Sequence, residues 1–493
     1  MHMMTTLPCQ EPTLRALPEL PDLTLRALHD IVGPGWVFDR LTDRLAYCRD
    51  RLPWGTYRLR EGWLPASLPS AVVMPADTEE LRRLVLCANT LGLALIPFGA
   101  GSGVLGGAVP LGREVMVDLK RLNRLRQLDE TDGTVTVEAG MNGAQFEDAL
   151  RARGWTCGHL PQSIAMSTVG GWASCRGAGQ ASSRYGKIED MVLGLRGVLP
   201  DGRPVEVRPV ARRSLGPSIK DLLVGAEGTL GFITELTLRV WRQPAFEQGV
   251  VLAFPDHEAG LQALRRIMQA ELRPQVARLY DEEESRARTQ DVAGFDSHRP
   301  VLCILKFSGL ERLARLEAEL ACDIAAECGA APAGHEPLQH WEQTRYQSYS
   351  TRWQTDGHHM DTIEITGPWS RLPQMYHRMR AAVLGLAPGA FFGAHWSHVY
   401  PEGACQYMTL RLPPMEHARA LDLHGQAWAQ VQSLCLELGG SVAHHHGAGW
   451  FRTPWLREEL GTGHALLQAL KDAVDPRNVC NPGKLGLRAR EVA

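Results

Sequence analysis

The chain has 493 residues, of which 44% are hydrophobic and 22% charged, and its formal net charge is −3. This composition is ordinary for a globular protein, and it gives no sign of a nucleic-acid face or a polybasic membrane patch. Because the length exceeds what one compact core usually holds, we expect two or three domains.

The spacing of the cysteines and the length of the apolar runs predict the cellular compartment of the protein. The eleven cysteines lack the paired spacing of a zinc site or a disulfide framework, which predicts a reduced, cytoplasmic protein. Residues 1–20 lack the basic start and apolar core of a signal peptide. The longest apolar run, residues 91–98, is too short to span a bilayer. We therefore expect no nucleic-acid partner and at most peripheral membrane contact.

The first elements follow a proline-rich start. Residues 1–65 carry prolines at positions 8, 12, 18, 22 and 34 and predict an irregular, partly helical lead-in. Residues 70–75 predict a strand, and Thr78 is expected to cap the next helix, which should end near Gly92. A buried strand over residues 93–98 then leads into a glycine-rich loop.

Strands and helices continue to alternate after this loop. Residues 115–119 and 134–139 predict strands separated by a turn at 129–133, and the alternation favours an α/β domain up to about residue 245. Residues 246–430 predict a second, α+β region, and residues 431–493 return to helices around a histidine cluster.

The second region is expected to contain long amphipathic helices. The example is residues 312–327, whose leucine and isoleucine side chains recur at helical spacing and are expected to face the core. These residues are Leu313, Leu316, Leu320 and Ile324.

The first small-residue loop is Gly99–Gly107. Glycine permits backbone N–H groups to turn toward a pyrophosphate, because a Cβ would block the approach. The spacing does not fit the G-x-G-x-x-G nucleotide fold, since no helix-forming run follows. Taken alone, a phosphate loop and a purely structural turn stay equally open.

Two further small-residue stretches change this balance. Residues 158–186 are rich in Gly, Ser and Ala yet too apolar for a disordered linker, and they can wrap a flat ligand. The Ser167 and Thr168 hydroxyls are expected to donate hydrogen bonds to it. A third loop, residues 225–235, packs two turns before another predicted strand.

The order of these motifs resembles the FAD-binding module of the vanillyl-alcohol-oxidase (PCMH-type) family. The motifs are P-x-G-x-G-S, P-x-S-x-x-x-S-T-x-G-G and G-x-E-G-T-L-G-x-I-T-E. The resemblance implies an α+β fold. It places a two-subdomain FAD-binding domain at residues 66–245, an α+β cap (substrate) domain at 246–430, and a C-terminal helical segment at 431–493 that completes the active site.

The resemblance also implies where FAD lies. The pyrophosphate is expected at Gly99–Val104, the flavin ring along residues 162–168 and 175–178, and the adenine side near residues 227–233. No histidine occurs in residues 97–110, where many members tether the cofactor, so we expect non-covalent FAD. The residues assigned to FAD are Pro97, Gly99, Ala100, Gly101, Ser102, Gly103, Val104, Pro161, Gln162, Ser163, Ser167, Thr168, Gly171, Cys175, Arg176, Gly177, Ala178, Glu227, Gly228, Thr229, Gly231 and Ile233.

Three adjacent histidines, His444, His445 and His446, form the sharpest motif outside the flavin module. A metal site, a chance surface run and an active-site loop are the possible interpretations. Neighbouring side chains diverge and no Cys or Asp cluster accompanies them, so we expect no metal site. Imidazoles suit acid–base work near neutral pH.

Their surroundings resemble the alkyldihydroxyacetonephosphate synthases, a branch of the same family. The segments that carry this resemblance are residues 439–449, 403–407 and 276–281. It implies catalytic roles for Tyr407, for the three histidines and for Arg278. Packing in a core strand is the other interpretation of Tyr407, and a surface ion pair with Asp281 or Glu282 is the other interpretation of Arg278.

Two departures leave the substrate open. His395 stands where the branch has a substrate-phosphate arginine, and the tail Asn481–Leu485 reads N-P-G-K-L, as in D-lactate and glycolate dehydrogenases. The branch implies an enzyme that exchanges the acyl chain of acyl-dihydroxyacetone-phosphate for a fatty alcohol in ether-lipid synthesis. The alternative is an FAD-linked oxidase or dehydrogenase of a D-2-hydroxy acid. Either enzyme takes a small-molecule or lipid-like substrate, and a homodimer is possible.

Overall fold

The computed structural model describes residues 20–53, 55, 57, 67–290, 292, 295, 296, 298–347 and 357–490. Part of the expected lead-in, residues 1–19 and 58–65, lies outside the described residues. The division into segments at 1–65, 66–245, 246–430 and 431–493 stays a prediction.

The helices and strands take the following bounds. The α-helices are α1 (Asp22–Val32), α2 (Leu41–Ala46), α3 (Thr78–Leu91), α4 (Gly143–Arg151), α5 (Val169–Ser174), α6 (Ser182–Tyr185), α7 (Ile188–Met191), α8 (Lys220–Leu223), α9 (His257–Gln269), α10 (Glu282–Thr289), α11 (Glu311–Glu327), α12 (Glu336–Thr344), α13 (Leu372–Leu386), α14 (His417–Glu437), α15 (Thr453–Leu460) and α16 (Thr462–Val474). The strands are β1 (Val37–Phe38), β2 (Ala71–Val73), β3 (Leu95–Phe98), β4 (Val115–Asp118), β5 (Leu125–Asp129), β6 (Thr134–Glu138), β7 (Trp155–Thr156), β8 (Val192–Val198), β9 (Pro204–Val207), β10 (Phe232–Arg239), β11 (Trp241–Arg242), β12 (Phe246–Phe254), β13 (Val276–Tyr280), β14 (Val301–Gly309), β15 (Ala331–Pro332), β16 (His359–Pro368), β17 (Phe391–Val399) and β18 (Gly403–Leu412).

Two main sheets lie in the first half of the chain. In one, β4 pairs in parallel with both β2 and β3, and β1 adds to β2 antiparallel. The other sheet has the order β5-β6-β10-β8-β9, and all its pairs are antiparallel. An α/β domain up to residue 245 is therefore wrong for the second sheet, because every pair of neighbouring strands in it is antiparallel. The whole chain is α+β, as the resemblance implied.

Helix α3 shows how local chemistry sets a boundary. Its cap is Asp77 and not Thr78, because the Asp77 carboxylate accepts the N–H of Glu80 at 2.9 Å while Thr78 is already helical. The predicted inward side chains, from Leu81 to Ala88, are buried against β4. Gly92 ends the helix with φ of 68°, a conformation that glycine adopts without strain.

The second half forms one sheet of order β15-β12-β14-β13-β17-β18-β16, with antiparallel neighbours. Successive side chains of a strand point to opposite faces. Ile363, Trp396 and Met408 belong to the large core on one face, which α9, α11, α13 and α14 cover. The alternate residues of these strands therefore lie on the opposite face, which we call the site face.

Helix α11 packs differently from the prediction. Leu313, Leu316 and Leu320 are 41–50% exposed, and the buried stripe consists of alanines, with Ala314 and Ala321 completely covered. The expected inward placement is wrong for these three leucines, because this helix carries two apolar stripes, whereas Ile324 packs against the core as predicted. The alanine stripe allows the closer approach to β12 and β14, and the larger leucines are left outside.

The C-terminal tail returns to the first sheet. Asn481 N–H donates to Leu95 O at 2.8 Å, and Leu95 N–H donates to Val479 O at 2.7 Å. The buried Lys471 ammonium donates to Asp475 at 2.5 Å and to the carbonyl oxygens of Thr229 and Cys480. The tail thus completes the packing of the glycine-rich region.

Candidate functional site

Three loops from distant parts of the chain pack against one another. A Cβ added at Gly99 would lie 2.3 Å from Thr168 Oγ1, so the first and second loops are in direct contact. A Cβ at Gly228 would lie 2.1 Å from Pro97 Cγ, which brings in the third loop. Small residues at these positions are what allow the three loops to converge.

The first loop keeps its backbone donors free. In the described part of the chain, the N–H groups of Ala100 to Val104 donate no hydrogen bond to another protein group. Five consecutive unpaired amides suit a pyrophosphate, whose charged oxygens accept several backbone N–H bonds. The loop therefore fits the cofactor expected there.

The second loop fits less simply. The Ser167 hydroxyl donates to Ser163 O at 2.8 Å and accepts the Trp172 indole N–H at 2.8 Å. The hydroxyl of Thr168 caps α5 by accepting the Gly171 N–H at 3.3 Å. The Ser167 proton is therefore used within the loop in this structure, and donation by Ser167 or Thr168 to a ligand stays a prediction.

The third loop turns toward the histidines. The Glu227 carboxylate accepts the N–H of Ala448 at 2.7 Å and that of Gly449 at 3.0 Å. Thr229 is fully buried and donates to Ala226 O, and Ile233 is buried in β10. The Glu227 carboxylate is thus used to hold residues 448 and 449, and the expected contact of residues 227–233 with the adenine side of FAD stays a prediction.

Residues 175–178 lie between the flavin loops and the histidines. Arg176 has φ of 52°, and its side chain lies against Gly225 of the third loop. A Cβ added at Gly447 would lie 3.2 Å from Cys175 Cβ. This segment therefore joins the predicted ring position to the histidine loop. The remaining FAD assignments stay predictions.

The site face of the second sheet presents Tyr407, His395 and Glu364 side by side. Tyr407 pairs with Glu364 on β16 and with His395 on β17, and its ring stacks on His395 at 4.8 Å. The Tyr407 hydroxyl donates to Thr362 Oγ1 at 2.9 Å. Burial raises the pKa of Tyr407 above its ordinary value, so the phenol stays protonated. Tyr407 is half-buried, and among the described residues its hydroxyl hydrogen-bonds to Thr362 alone.

The histidine loop lies against this tyrosine. The rings of His445 and His446 are 5.9 and 5.5 Å from that of Tyr407. His444 points away, and its Nε2 lies 3.0 Å from Tyr400 Oη. The structure therefore brings Tyr407, His445 and His446 together from two separate segments.

Burial decides the charge of these imidazoles. It lowers the pKa of His444, His445 and His395 well below the ordinary value, and the charges of Arg278 and Arg288 add to the effect at His395. Neutral imidazoles can accept protons. His395 is thus a neutral hydrogen-bonding group and not a cationic substitute for arginine.

Arg278 lies on the same face, two strands from Tyr407. Its Nε donates to Tyr280 Oη at 2.9 Å, and within the described residues it forms no ion pair. The alternative pairing with Asp281 is wrong, because Asp281 is buried and accepts hydrogen bonds from Tyr376 and Ala394. The guanidinium of Arg288 stacks on Tyr280 at 4.3 Å and is paired with the carboxylate of Glu284.

Several contributors were missed by sequence reasoning. Ser182 Oγ lies 2.7 Å from His398 Nδ1, and Lys187 donates to His444 O at 2.5 Å. Glu364 and Arg452 form a fully buried ion pair at 2.7 Å beneath the histidines. Two signals pointed to Glu364: it is a charged residue inside an apolar strand, and residues 364–369 resemble a segment of the family, for which we predicted a structural role.

Metal binding was not expected. Ring nitrogens of His398, His444 and His445 lie within 4.8 Å of one another, a spacing that a metal ion can use. The expected absence of a metal stays a prediction. Among the described residues, no helix is long and apolar enough to cross a bilayer.

Comparison with known proteins identifies two domain families in this chain. Residues 69–208 match the family model of the FAD binding domain, and residues 243–485 match that of the C-terminal domain of FAD linked oxidases. An uncharacterized FAD-linked oxidoreductase, YgcU of Escherichia coli (strain K12), is 30% identical over 438 residues, covering 85% of this chain and 89% of that protein.

Named enzymes are among the relatives. Alkyldihydroxyacetonephosphate synthase of Dictyostelium discoideum is 29% identical, covering 85% of this chain and 73% of that protein. Glycolate oxidase subunit GlcD of Bacillus subtilis (strain 168) is 27% identical, covering 93% and 95%. A solved structure of an alkyldihydroxyacetonephosphate synthase superposes with a TM-score of 0.78 at 25% identity, covering 94% of this chain and 85% of that one.

Proposed function

This chain belongs to the family of FAD-linked oxidases, and from that premise we propose that it exchanges the acyl chain of acyl-dihydroxyacetone-phosphate for a fatty alcohol. It is an FAD-dependent enzyme. One support for this specific reaction is that alkyldihydroxyacetonephosphate synthases are among the relatives of this chain. The site face is the other.

The observation that carries the proposal is the cluster of Tyr407, His445 and His446. A protonated phenol and neutral imidazoles within 6 Å of one another can move protons in both directions during one exchange. In that reaction the bond from the first substrate carbon to the ester oxygen breaks, and a bond to the alcohol oxygen forms. The fatty acid leaves with the proton that the alcohol gives up.

We assign roles to the chain's own groups accordingly. The imidazoles of His445 and His446 accept a proton from the alcohol, and Tyr407 exchanges one at the reacting carbon. Arg278, which forms no ion pair within the described residues, offers positive charge to the substrate phosphate or to a negatively charged flavin. When bound, FAD supplies the electron-accepting ring, and we infer that it is held without a covalent link.

A second function is favoured by two specific observations. His395 is neutral and buried where the synthases have an arginine, and the tail Asn481–Leu485 resembles that of hydroxy-acid dehydrogenases. The glycolate oxidase relative, which covers 93% of this chain, points the same way. In this alternative the histidines hold the carboxylate of a D-2-hydroxy acid and accept its hydroxyl proton.

One experiment separates the two functions. The purified yellow protein is mixed anaerobically with glycolate, D-lactate and D-2-hydroxyglutarate, and separately with acyl-dihydroxyacetone-phosphate and radiolabelled hexadecanol. The synthase proposal expects label in the ether product and an unchanged oxidised flavin spectrum with the acids. Bleaching by any acid, without incorporation of label, would overturn it.

We also propose a cellular location, segment boundaries and a non-covalent mode of FAD binding. The chain is proposed to be a cytoplasmic enzyme, with boundaries between segments near residues 65, 245 and 430. Acid precipitation should release the yellow colour from the polypeptide. Colour that stays with the precipitate would show a covalent flavin.

A further inference from the structure

The loop His444–Gly449 lies between the two halves of the molecule. On one side stand β16 and β18 of the second sheet, and on the other stands the third small-residue loop. Its imidazoles have no helix or strand of their own to hold them. Something else must therefore fix their direction.

Glu364 holds the first half of this loop. One carboxylate oxygen accepts the His444 N–H at 2.5 Å, and the other accepts those of His446 at 3.1 Å and His445 at 3.4 Å. Three consecutive amides thus converge on one side chain that is completely buried. Hydrogen bonds to a charged acceptor are the stronger kind, so this anchor is stiff.

Arg452 neutralises that carboxylate. Its guanidinium donates to Glu364 Oε1 at 2.7 Å, to Glu364 O at 2.7 Å and to Gly447 O at 2.9 Å. Burial alone would raise the pKa of Glu364, but the charge of Arg452 holds it below the ordinary value. Glu364 is therefore a carboxylate at neutral pH and accepts from every amide that it faces.

Glu227 holds the second half of the loop from the other side. Besides Ala448 and Gly449, its carboxylate lies so close to Gly447 that a Cβ there would be 2.6 Å from Oε1. Asn481 donates to the backbone oxygen of Glu227 and ties this residue to the C-terminal tail. The two carboxylates thus come from the two halves of the molecule.

We propose that Glu364 and Glu227 form a two-carboxylate clamp that positions the histidine loop and fixes His445 and His446 against Tyr407. Both are positioning residues, because they reach the reaction only through the loop. The catalytic role of the histidines in this inference rests on the proposed function, whereas the clamp itself does not depend on it.

The register of the sheet explains why Glu364 serves this purpose. It stands directly opposite Tyr407 in the β16–β18 pair, so one strand pair carries both the tyrosine and the anchor of the histidines. Glu364 Oε1 also lies 3.7 Å from His446 Nδ1. A change at Glu364 therefore alters the distance between the tyrosine and its two imidazoles.

Hydrogen–deuterium exchange of the FAD-loaded protein tests the clamp directly. In Glu364→Gln we expect the amides of residues 444–446 to exchange at least about tenfold faster, with residues 448 and 449 unchanged. In Glu227→Gln the pattern should be reversed. Glu459→Gln is the matched control, because the Glu459 carboxylate accepts the Val442 N–H at 2.8 Å just before the loop.

Unchanged exchange at 444–446 in Glu364→Gln, or the same pattern in both clamp variants, would overturn the proposal. Where Glu364→Gln does not fold, the double variant Glu364→Leu/Arg452→Met removes both charges and gives the same readout. With whichever substrate turns over, Glu364→Gln should lower kcat at least about tenfold while KM and FAD affinity stay unchanged. A protein that turns over neither substrate class but shows the expected exchange refutes the proposed function alone.

Discussion

Replacing Arg452 by methionine should destabilise the protein strongly, although no part of the predicted cofactor site is changed. Methionine keeps most of the side-chain length against Trp428, whose ring lies 5.4 Å from the guanidinium. It removes three hydrogen bonds and leaves the Glu364 carboxylate buried without its cation. Breaking a buried ion pair in this way costs about 3–5 kcal/mol.

That loss corresponds to a Tm lowered by roughly 6–20 °C for a unit of about 200 residues. The assay is thermal unfolding of the FAD-loaded protein, followed by circular dichroism and by flavin fluorescence. Arg378→Met is the matched control, since Arg378 makes two contacts with Glu437 at 2.7 and 3.0 Å but on the surface. Solvent screens such a pair, and we expect little change in Tm. Equal shifts in the two variants would refute the reasoning that burial gives the Glu364 pair its importance.

Four further predictions follow from the site and its surroundings. Tyr407→Phe should keep FAD and lower turnover at least about 100-fold, and undiminished turnover would remove Tyr407 from the mechanism. Gly228→Ala should weaken FAD binding about tenfold or more in a flavin fluorescence titration, because its Cβ would meet Pro97. Gly154→Ala is the control: its φ of 76° is similar, but a Cβ there would meet open space, so this variant should bind FAD normally. Burial lowers the pKa of His159 to about 3. The neutral ring therefore makes its whole contribution to stability above about pH 6.5. This contribution is lost as the pH falls, because the unfolded chain then takes up a proton that the folded protein does not. His159→Phe should therefore reduce the slope of the free energy of unfolding against pH, measured by urea unfolding between pH 6 and 4.5, by about 1.4 kcal/mol per pH unit. An unchanged slope would contradict a neutral buried ring. Mass spectrometry of the purified protein should find no stoichiometric metal, and EDTA should not lower turnover; one zinc ion per chain would show that His398 and its neighbours are ligands.

Local patterns were sufficient for several elements. The inward residues and the end of α3 were predicted correctly, because helical periodicity and a C-terminal glycine are properties of a short stretch of chain. The strand Leu125–Asp129 was missed, since its side chains are partly exposed and show no clear alternation. The inward placement of the three leucines of α11 was wrong for a related reason. Both its leucine and its alanine stripes satisfy the helical period, and only packing against the sheet selects one of them.

The sequence by itself determined the cofactor class and the residue types of the candidate site. These are local requirements that a linear pattern records: glycines that must approach a pyrophosphate, and a tyrosine and histidines placed in recognisable segments. Only the tertiary structure decided how these segments meet. Strand register set Tyr407 beside Glu364 and His395, and two buried carboxylates from separate halves of the chain hold the histidine loop. Such contacts join residues up to 222 positions apart, and their strength depends on burial, which no local pattern specifies.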